Sequence, residues 1–202
     1  MTFPVYDADF TVSAANLTRY ASNATGATWT LAQTTTADGL AHFVVITNDS
    51  ATDHSAKTAI ITGTDGAGVA QTETVNLPGV SGTVTSTKLF KTVTSVVPSA
   101  TIGADTMDIG ISAIAATGWI KVDSSKDIGV AVDIGGTINY DIEVCYEEPA
   151  IGASRAFDHA SFTAKTADIA GVIAHPVNAV RVYVNSHTSG TFTFQVLQGT
   201  RD

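Results

Sequence analysis

The sequence predicts an all-β protein, built as one large β-sandwich or jelly roll or as two stacked antiparallel sandwiches. Threonine makes up about 15% of the 202 residues, and β-branched side chains favour pleated sheet over helix. Most apolar segments are short and are bounded by Gly, Asn, Asp or Pro, which is typical of strands joined by turns. Helical periodicity is scarce, and the strand patterns do not alternate with helical ones as they do in a parallel α/β fold.

The first half of the chain contains six strand candidates, at residues 28–34, 41–47, 57–64, 70–77, 83–97 and 107–113. The run 41–47 is continuously apolar, so we expect it to be buried on both faces. Asp65-Gly66-Ala67-Gly68 lies between two candidates, and its two glycines can adopt the positive φ angles of a tight hairpin turn. The long candidate 83–97 is a single strand in this interpretation, and Pro98 ends it.

The second half contains seven candidates, at residues 119–122, 128–133, 137–146, 161–165, 169–174, 177–185 and 191–198. Gly135-Gly136 is predicted to turn the chain into the strand 137–146, and residues 186–190 are predicted to turn it into the last strand. Residues 150–159 read as an irregular loop, and 169–174 as an edge strand. Strand 137–146 alternates regularly, so we expect one core face and one solvated face, the latter with Asn139, Asp141, Glu143, Cys145 and Glu147.

Small residues at 113–118 indicate a boundary between an N-terminal β-sandwich region, 1–115, and a C-terminal one, 116–202, unless the two halves form one interleaved domain. The first residues show no basic segment followed by an apolar core, so no secretory signal is predicted. No apolar run approaches the ~18 residues of a membrane helix. We therefore expect a chain that folds in the cytosol and has no membrane partner.

The charge balance excludes a nucleic-acid-binding surface. Ten Lys and Arg oppose nineteen Asp and Glu, for a formal net charge of −9, whereas phosphate contacts need clustered basic residues. Ser and Thr outnumber Lys and Glu on the predicted outer faces. Because Ser and Thr lose little side-chain entropy when they are covered, this composition favours surfaces that pack against other protein subunits.

Three groups of residues in the sequence are candidates for enzymatic or redox chemistry. Cys145 has no neighbour in sequence that would activate its thiol, so it is interpreted as a small strand residue. Asp141 and Glu143, or Glu147 and Glu148, could form the acid and base pair of a glycosidase. No aromatic platform for a sugar stands beside them in sequence, and we expect them to be solvated carboxylates.

The candidates for metal and ligand sites are the histidines, residues 65–68 and the two tryptophans. The histidines are scattered without metal-ligand spacing: they are His42, His54, His159, His175 and His187. Asp65–Gly68 lacks oxygen ligands at the positions that a calcium loop requires and is interpreted as a turn. Trp29 and Trp119 are expected to anchor the core. The sequence thus predicts no catalytic, metal-binding or cofactor-binding residues, and a protein that is not an enzyme.

Two parts of the chain resemble a known class of protein. Residues 58–79 read TAIITGTDGAGVAQTETVNLPG and residues 82–95 continue GTVTSTKLFKTVTS. Later, the alternating strand 137–147 is followed by PVNAVRVYV at 176–184 and GTFTFQVLQG at 190–199. These hairpin patterns resemble small virion structural proteins of tailed bacteriophages, over roughly residues 55–97 and 137–199.

The resemblance implies a β-sandwich or jelly-roll virion component, which is assembled in the host cytoplasm and carries no catalytic residues. Such proteins are capsid decoration (cement) proteins, tail components or head fibres. Because no repeat of fixed period and no binding pocket is visible, the sequence favours a decoration protein. Its expected partners are the major capsid protein or other virion proteins, together with copies of itself. The alternatives are a tail or head-to-tail structural protein and a carbohydrate-binding or hydrolytic β-sandwich.

Overall fold

The computed structural model describes residues 3–147 and 155–198, and in these the protein is built from antiparallel strands with no α-helix. The all-β, sandwich-like prediction is confirmed. The strands are β1 (Phe3–Thr11), β2 (Asn16–Ala24), β3 (Ala41–Asn48), β4 (Thr58–Thr64), β5 (Ala70–Asn76), β6 (Thr83–Phe90), β7 (Thr92–Pro98), β8 (Met107–Ala116), β9 (Ile120–Lys121), β10 (Ile128–Cys145), β11 (Phe157–Asp158), β12 (Ile169–Ile173) and β13 (Ala179–Gln198).

The chain forms two compact units, which we call the central unit, Ser13–Ala115, and the terminal unit, Met1–Val12 with Ala116–Asp202. The first twelve residues therefore group with the C-terminal part of the chain. The reason is β1, which the sequence did not predict and which pairs with β13 from Phe3↔Gln198 to Thr11↔Thr191. Phe10 stacks on Phe192 with ring centroids 5.0 Å apart.

The central unit is a sandwich of two antiparallel sheets, ordered β2-β8-β3-β6 and β5-β4-β7. All seven strands contribute buried side chains to one apolar core, including Tyr20, Ile61, Phe90 and Met107, each less than 1% exposed. Strand β3 is buried on both faces, as its continuous apolar run predicted. Its one buried ionisable side chain is that of His42.

The predicted hairpin at residues 65–68 is confirmed, since β4 and β5 pair from Thr58↔Asn76 to Thr64↔Ala70. Of the two glycines in its turn, only Gly68 has a positive φ, +85°. The Asp65 carboxylate accepts hydrogen bonds from the amides of Ala67 and Val69 at 2.9 and 2.8 Å. These hydrogen bonds account for an aspartate at this position of the turn, and no bound ion is needed to explain it.

Two strand predictions for the central unit are wrong. Residues 83–97 do not form one strand, because the chain leaves β6 at Phe90 and enters β7, in the opposite sheet, at Thr92. Phe90 and Val93 thus reach the same core from opposite sides, an arrangement that local alternation cannot reveal. Residues 28–34 are irregular, although Trp29 is buried in the core as expected.

The terminal unit is organised by a two-stranded ribbon of unusual length. Strands β10 and β13 pair from Ile128↔Gln198 to Cys145↔Ala179, with Gly136 opposite Gly190 near the middle and register shifts at 137/138 and 139/140. The predicted hairpin turns at 135–136 and 186–190 are therefore wrong. The glycines do adopt positive φ angles, +133° and +145°, but they bend a continuous ribbon rather than reverse the chain.

The ribbon folds back on itself in its middle part, which contains this glycine pair and the two register shifts beside it. A straight strand of 20 residues would span about 66 Å, yet consecutive residues of one short segment contact both ends of β13. The Val122 amide donates to the carbonyl of Asn178, and the Asp123 amide donates to Oε1 of Gln198, each at 3.0 Å. The two halves of the ribbon consequently cover one another, which buries the apolar residues along both halves of β13: Val180, Val182, Val184, Phe192, Phe194 and Val196.

Short elements complete the terminal unit. The predicted strand 161–165 is wrong, because Ala160–Phe162 form a 3₁₀ turn and Lys165 makes only an isolated bridge to Tyr140. The edge strand at 169–174 is confirmed as β12, which pairs with the first residues of β10. The expected strand 119–122 is reduced to β9. The expected loop 150–159 lies partly outside the described residues, and β11 occupies part of the remainder.

Candidate functional site

The outer surface of the β5-β4-β7 sheet carries no charged side chain, and we call it the threonine face. It consists of Thr58, Ile60, Thr62, Thr64, Ala70, Thr72, Thr74, Asn76, Thr94 and Val97. The register places Ile60 between Thr74 of β5 and Val97 of β7. Ile60 is 47% exposed and Val97 is 52% exposed. Two exposed apolar side chains are therefore neighbours on a neutral, hydroxyl-rich sheet surface.

The charged residues beside this face are directed to the side of the sandwich. The Glu73 carboxylate accepts hydrogen bonds from the amides of Thr87 and Lys88 at 2.7 and 2.9 Å. Lys88 Nζ donates to the carbonyl of Thr72, and Gln71 Nε2 donates to that of Leu89. These bonds satisfy backbone groups at the edges of β5 and β6, and they leave the threonine face free of charge.

The carboxylates expected on a solvated strand face are instead buried. Asp141 and Glu143 are 5% and 8% exposed, and Cys145 is fully buried, so the predicted wet face is wrong. The cause is the segment that follows β11: the His159 amide donates to the carbonyl of Ile142, and the Ala164 amide donates to Oδ1 of Asp141. Residues distant in sequence thus cover the polar face of the strand.

Each buried carboxylate accepts a hydrogen bond from a side chain of β13. Oδ2 of Asp141 accepts from Asn185 Nδ2 at 2.7 Å, and Oε2 of Glu143 accepts from Arg181 Nε at 2.5 Å. Burial raises the pKa of Glu143, while the charge and hydrogen bond of Arg181 oppose the shift. The guanidinium of Arg181 lies 4.4 Å from the ring centroid of Trp119, which gives that tryptophan a cation–π role. Each carboxylate is thereby bonded to β13, the strand that pairs with β10.

A continuous row of five aromatic rings lies at the same end of β10, and we call it the aromatic row. Its members are Phe157, Tyr146, His175, His159 and Phe162, and successive ring centroids are 5.6, 6.1, 5.2 and 4.8 Å apart. The two imidazoles are almost parallel, with an interplanar angle of 5°. Tyr146 and Phe157 are about half exposed, at 50% and 48%.

The imidazole of His159 lies between the rings of His175 and Phe162 in this row. Its Nδ1 accepts a hydrogen bond from the Ser161 amide at 3.3 Å. Burial lowers the pKa of His159, and the charge of His175 lowers it further. The aromatic row therefore presents two exposed rings at one end, with two stacked imidazoles behind them.

The remaining candidates do not converge. His42 and His54 are buried in the central unit and pair with Asp38 and Asp105. Both ring nitrogens of His187 are buried without a hydrogen-bond partner among the described residues. Within 3–147 and 155–198, no group of three or more His, Cys, Asp or Glu side chains is arranged to hold a metal ion. Cys145 Sγ donates to the carbonyl of Glu147, and Glu148 lies outside the described residues.

Sequence reasoning missed the aromatic row because its members are separated by up to 29 positions and have no shared motif. Alternation along the strand 137–146 places Tyr146 on the predicted core face. In the structure β10 ends at Cys145, and the side chain of Tyr146 is half exposed. No helix in the described parts of the chain is long and apolar enough to cross a membrane. In comparisons with known proteins, no family model, curated protein or solved structure matches this chain. The function is therefore inferred from the geometry of the described residues.

Proposed function

We propose that this chain is a structural protein of a tailed-bacteriophage virion, and within the virion a capsid decoration protein that clamps neighbouring shell subunits. The observation that carries the proposal is the threonine face. A flat sheet surface of hydroxyl and methyl groups can be covered without removing a charge from water and with little loss of side-chain entropy. The resemblance of residues 55–97 to virion structural proteins covers the same three strands.

Many modest contacts suit this role better than one tight contact. A decoration protein is repeated over a symmetric shell, so each contact recurs and a small interface gains strength through multivalency. Ile60 and Val97 supply an apolar centre, and the surrounding threonines supply a polar rim, which is the usual anatomy of a protein interface. The partner on this proposal is the major capsid protein or another virion protein.

Ile60→Lys is expected to abolish binding of the purified chain to phage particles assembled without it. The substitution places an ammonium group at the centre of the proposed contact, where its desolvation is uncompensated. Particles decorated with wild-type protein should resist thermal release of DNA, and particles incubated with the variant should not. Sedimentation of particle-bound protein measures binding, and its stoichiometry gives the copy number.

Val80→Lys is the matched control, because Val80 is 56% exposed in a turn of the same unit outside the threonine face. It should bind as wild type does. Equal binding by Ile60→Lys would contradict the proposed contact. A copy number of a few per particle, with tail assembly lost when the chain is absent, would replace the decoration proposal with a tail or head-to-tail role.

The aromatic row favours one second candidate function, carbohydrate binding. Exposed aromatic rings flanked by imidazole and carboxylate groups bind the apolar face of a sugar ring while they hydrogen-bond its hydroxyls. In this candidate, Tyr146 and Phe157 form the platform, and Asp158 is the neighbouring carboxylate.

If this candidate is right, calorimetry with an oligosaccharide panel should detect binding, and Tyr146→Ala should weaken it about tenfold or more by removing one stacking surface. Leu197→Ala is the control, because Leu197 is an exposed apolar residue on β13 of the same unit. It should leave the affinity unchanged. An absence of binding across the panel, or equal affinities for both variants, would eliminate the candidate.

A further inference from the structure

Strand β12 is an edge strand whose outer backbone is unprotected. It pairs through Ile128↔Ile173 to Val132↔Ile169 with β10 alone. Among the described residues, no side chain or backbone group bonds to its other edge. Its sequence, Ile-Ala-Gly-Val-Ile, contains neither charge nor proline. An edge of this kind readily accepts another strand.

Other edges of the protein carry devices that prevent strand addition. Strand β1 contains Pro4 and two outward carboxylates, Asp7 and Asp9. Strands β5 and β6 are closed by the side-chain bonds of Glu73, Gln71 and Lys88 described above. Strands β9 and β11 have two residues each, which is too short to template a partner.

The remaining two edges of the central unit are covered by neighbouring chain. The Tyr20 carbonyl of β2 accepts the amide of Ala32 at 2.7 Å, and Arg19 Nε donates to the carbonyl of Thr35. The Val93 amide of β7 donates to the carbonyl of Thr34, and the β7 register shifts by one residue beside Gly63. A bulge of this kind blunts an edge. Within residues 3–147 and 155–198, β12 is thus the strand whose outer edge lacks such protection.

The outer face beside this edge is apolar. Val172 is 58% exposed, Gly129 lies next to it on β10, and Leu197, 37% exposed, lies beyond on β13. Because Gly129 has no side chain, an apolar stripe runs from Val172 to Leu197 without interruption. A strand added at β12 would extend this stripe and cover its exposed end.

We infer that β12 is a dimerisation edge, and that its occupant is β12 of a second copy of this chain. The two strands pair antiparallel about a two-fold axis at Gly171, so that Ala170 of each copy lies opposite Val172 of the other. A two-fold axis makes the contact self-complementary and closed. The uncharged edge is suited to this, because identical charges would face each other across the axis.

Gly171 is suited to the axis position. A Cβ at this residue would lie 2.6 Å from the ring of Phe162 in the same chain, so the inner side of the glycine is already filled. The sheet face on the opposite side carries only the neighbouring Ala170 and Val172, both exposed. The pairing therefore needs no rearrangement of the core, and each Val172 covers the Ala170 of its partner.

The test is the association state of the purified full-length chain, measured by light scattering during gel filtration over a concentration series. Wild type is expected to dimerise. Val172→Lys places two ammonium groups near the axis and should raise the dimer Kd by about 100-fold or more. Val172→Thr keeps the branched shape and the β-propensity and should remain dimeric.

Disulfide cross-linking tests the proposed register of the two β12 strands. In the double variant Ala170→Cys with Val172→Cys, directly opposed residues of antiparallel strands are within disulfide range. A mild thiol oxidant should therefore link two copies, with two thiols oxidised for each bond formed. Ala170→Cys alone should give little linked dimer, because residue 170 faces residue 172 and not itself. Cys145 is buried and does not compete.

A wild-type chain that stays monomeric at all concentrations would overturn the inference. So would a dimer that persists unchanged in Val172→Lys, or a double variant that does not cross-link. These measurements use no phage particles, so their outcome is independent of whether the threonine face binds a capsid. A dimer that fails to bind particles would retain this inference and remove the proposed function.

Discussion

Gly190→Ala is expected to destabilise the terminal unit by about 3 to 5 kcal/mol. Gly190 has φ +145°, and a Cβ there would lie 2.6 Å from the carbonyl oxygen of Gly135 and 3.2 Å from Cα of Gly136. The substitution therefore adds backbone strain to a steric clash with the opposite strand, where little can move. Because the ribbon folds back at this point, relief of the clash would separate the two halves that form the core.

Denaturant unfolding, with hydrogen exchange of the β10 and β13 amides, measures this effect. Gly136→Ala should behave similarly, because its Cβ would lie 2.5 Å from the carbonyl oxygen of Ser189. Gly129→Ala is the control in the same strand, since its Cβ would meet Leu197 at an ordinary 3.4 Å. Equal stabilities for Gly190→Ala and Gly129→Ala would show that the glycine pair is not needed for the bend.

Asp38→Ala is expected to destabilise the central unit by about 3 to 5 kcal/mol, because it removes one member of a buried pair and leaves the His42 side chain without its partner. His42 Nε2 lies 2.9 Å from Oδ2 of Asp38, and its Nδ1 lies 2.9 Å from the carbonyl oxygen of Ser112. Both ring nitrogens therefore have an oxygen partner inside the central unit. The two side chains are 1% exposed or less.

The same pair makes stability depend on pH in acid. Burial raises the pKa of Asp38, but the hydrogen bond and charge of His42, with the amides of Ser13 and Leu40, outweigh burial and leave the pKa below its ordinary value of 3.8. A carboxyl group whose pKa is lowered by folding stabilises the protein fully above the unfolded value. This contribution is lost as the pH falls below 3.8 through the folded value.

Urea midpoints at neutral pH and on acidification test both statements. Wild type should lose stability on acidification more steeply than Asp38→Ala, which has already lost this contribution. Asp53→Ala is the control, because Asp53 also caps a local turn, at 2.8 Å from the Ser55 amide, but is exposed. It should leave the midpoint almost unchanged. A wild-type slope equal to that of Asp38→Ala would assign the acid sensitivity to other carboxyl groups.

Local pattern was sufficient where one turn joins two neighbouring strands. The β4–β5 hairpin could be predicted because Asp65 and Gly68 specify the turn and the flanking residues alternate over the same length. Strand β3 could be predicted because a continuous apolar run is stable only when both faces are covered. In these elements the residues that determine the structure are also neighbours in sequence.

The wrong predictions share one physical cause, which is that distant pairing overrides local turn signals. Gly135-Gly136 and 186–190 have the composition of hairpin turns, yet each lies opposite the other in a ribbon whose many backbone bonds favour continuing the strand. Asp141 and Glu143 alternate with apolar residues like a solvated face, yet Arg181, Asn185 and the Ala164 amide cover and satisfy them. None of these partners lies within 20 positions of the carboxylate that it binds.

The sequence by itself determined that the protein is all-β, because the β-branched composition and short bounded apolar runs express the propensity of each residue in its own neighbourhood. It also determined that charge would be sparse on the strands, which is why the threonine face is neutral. Only the tertiary structure decided which polar residues are buried, where the aromatic row assembles and which strand edge stays open. These depend on contacts between residues far apart in the chain, and they form only when the folded ribbon and the closed sandwich bring those residues together.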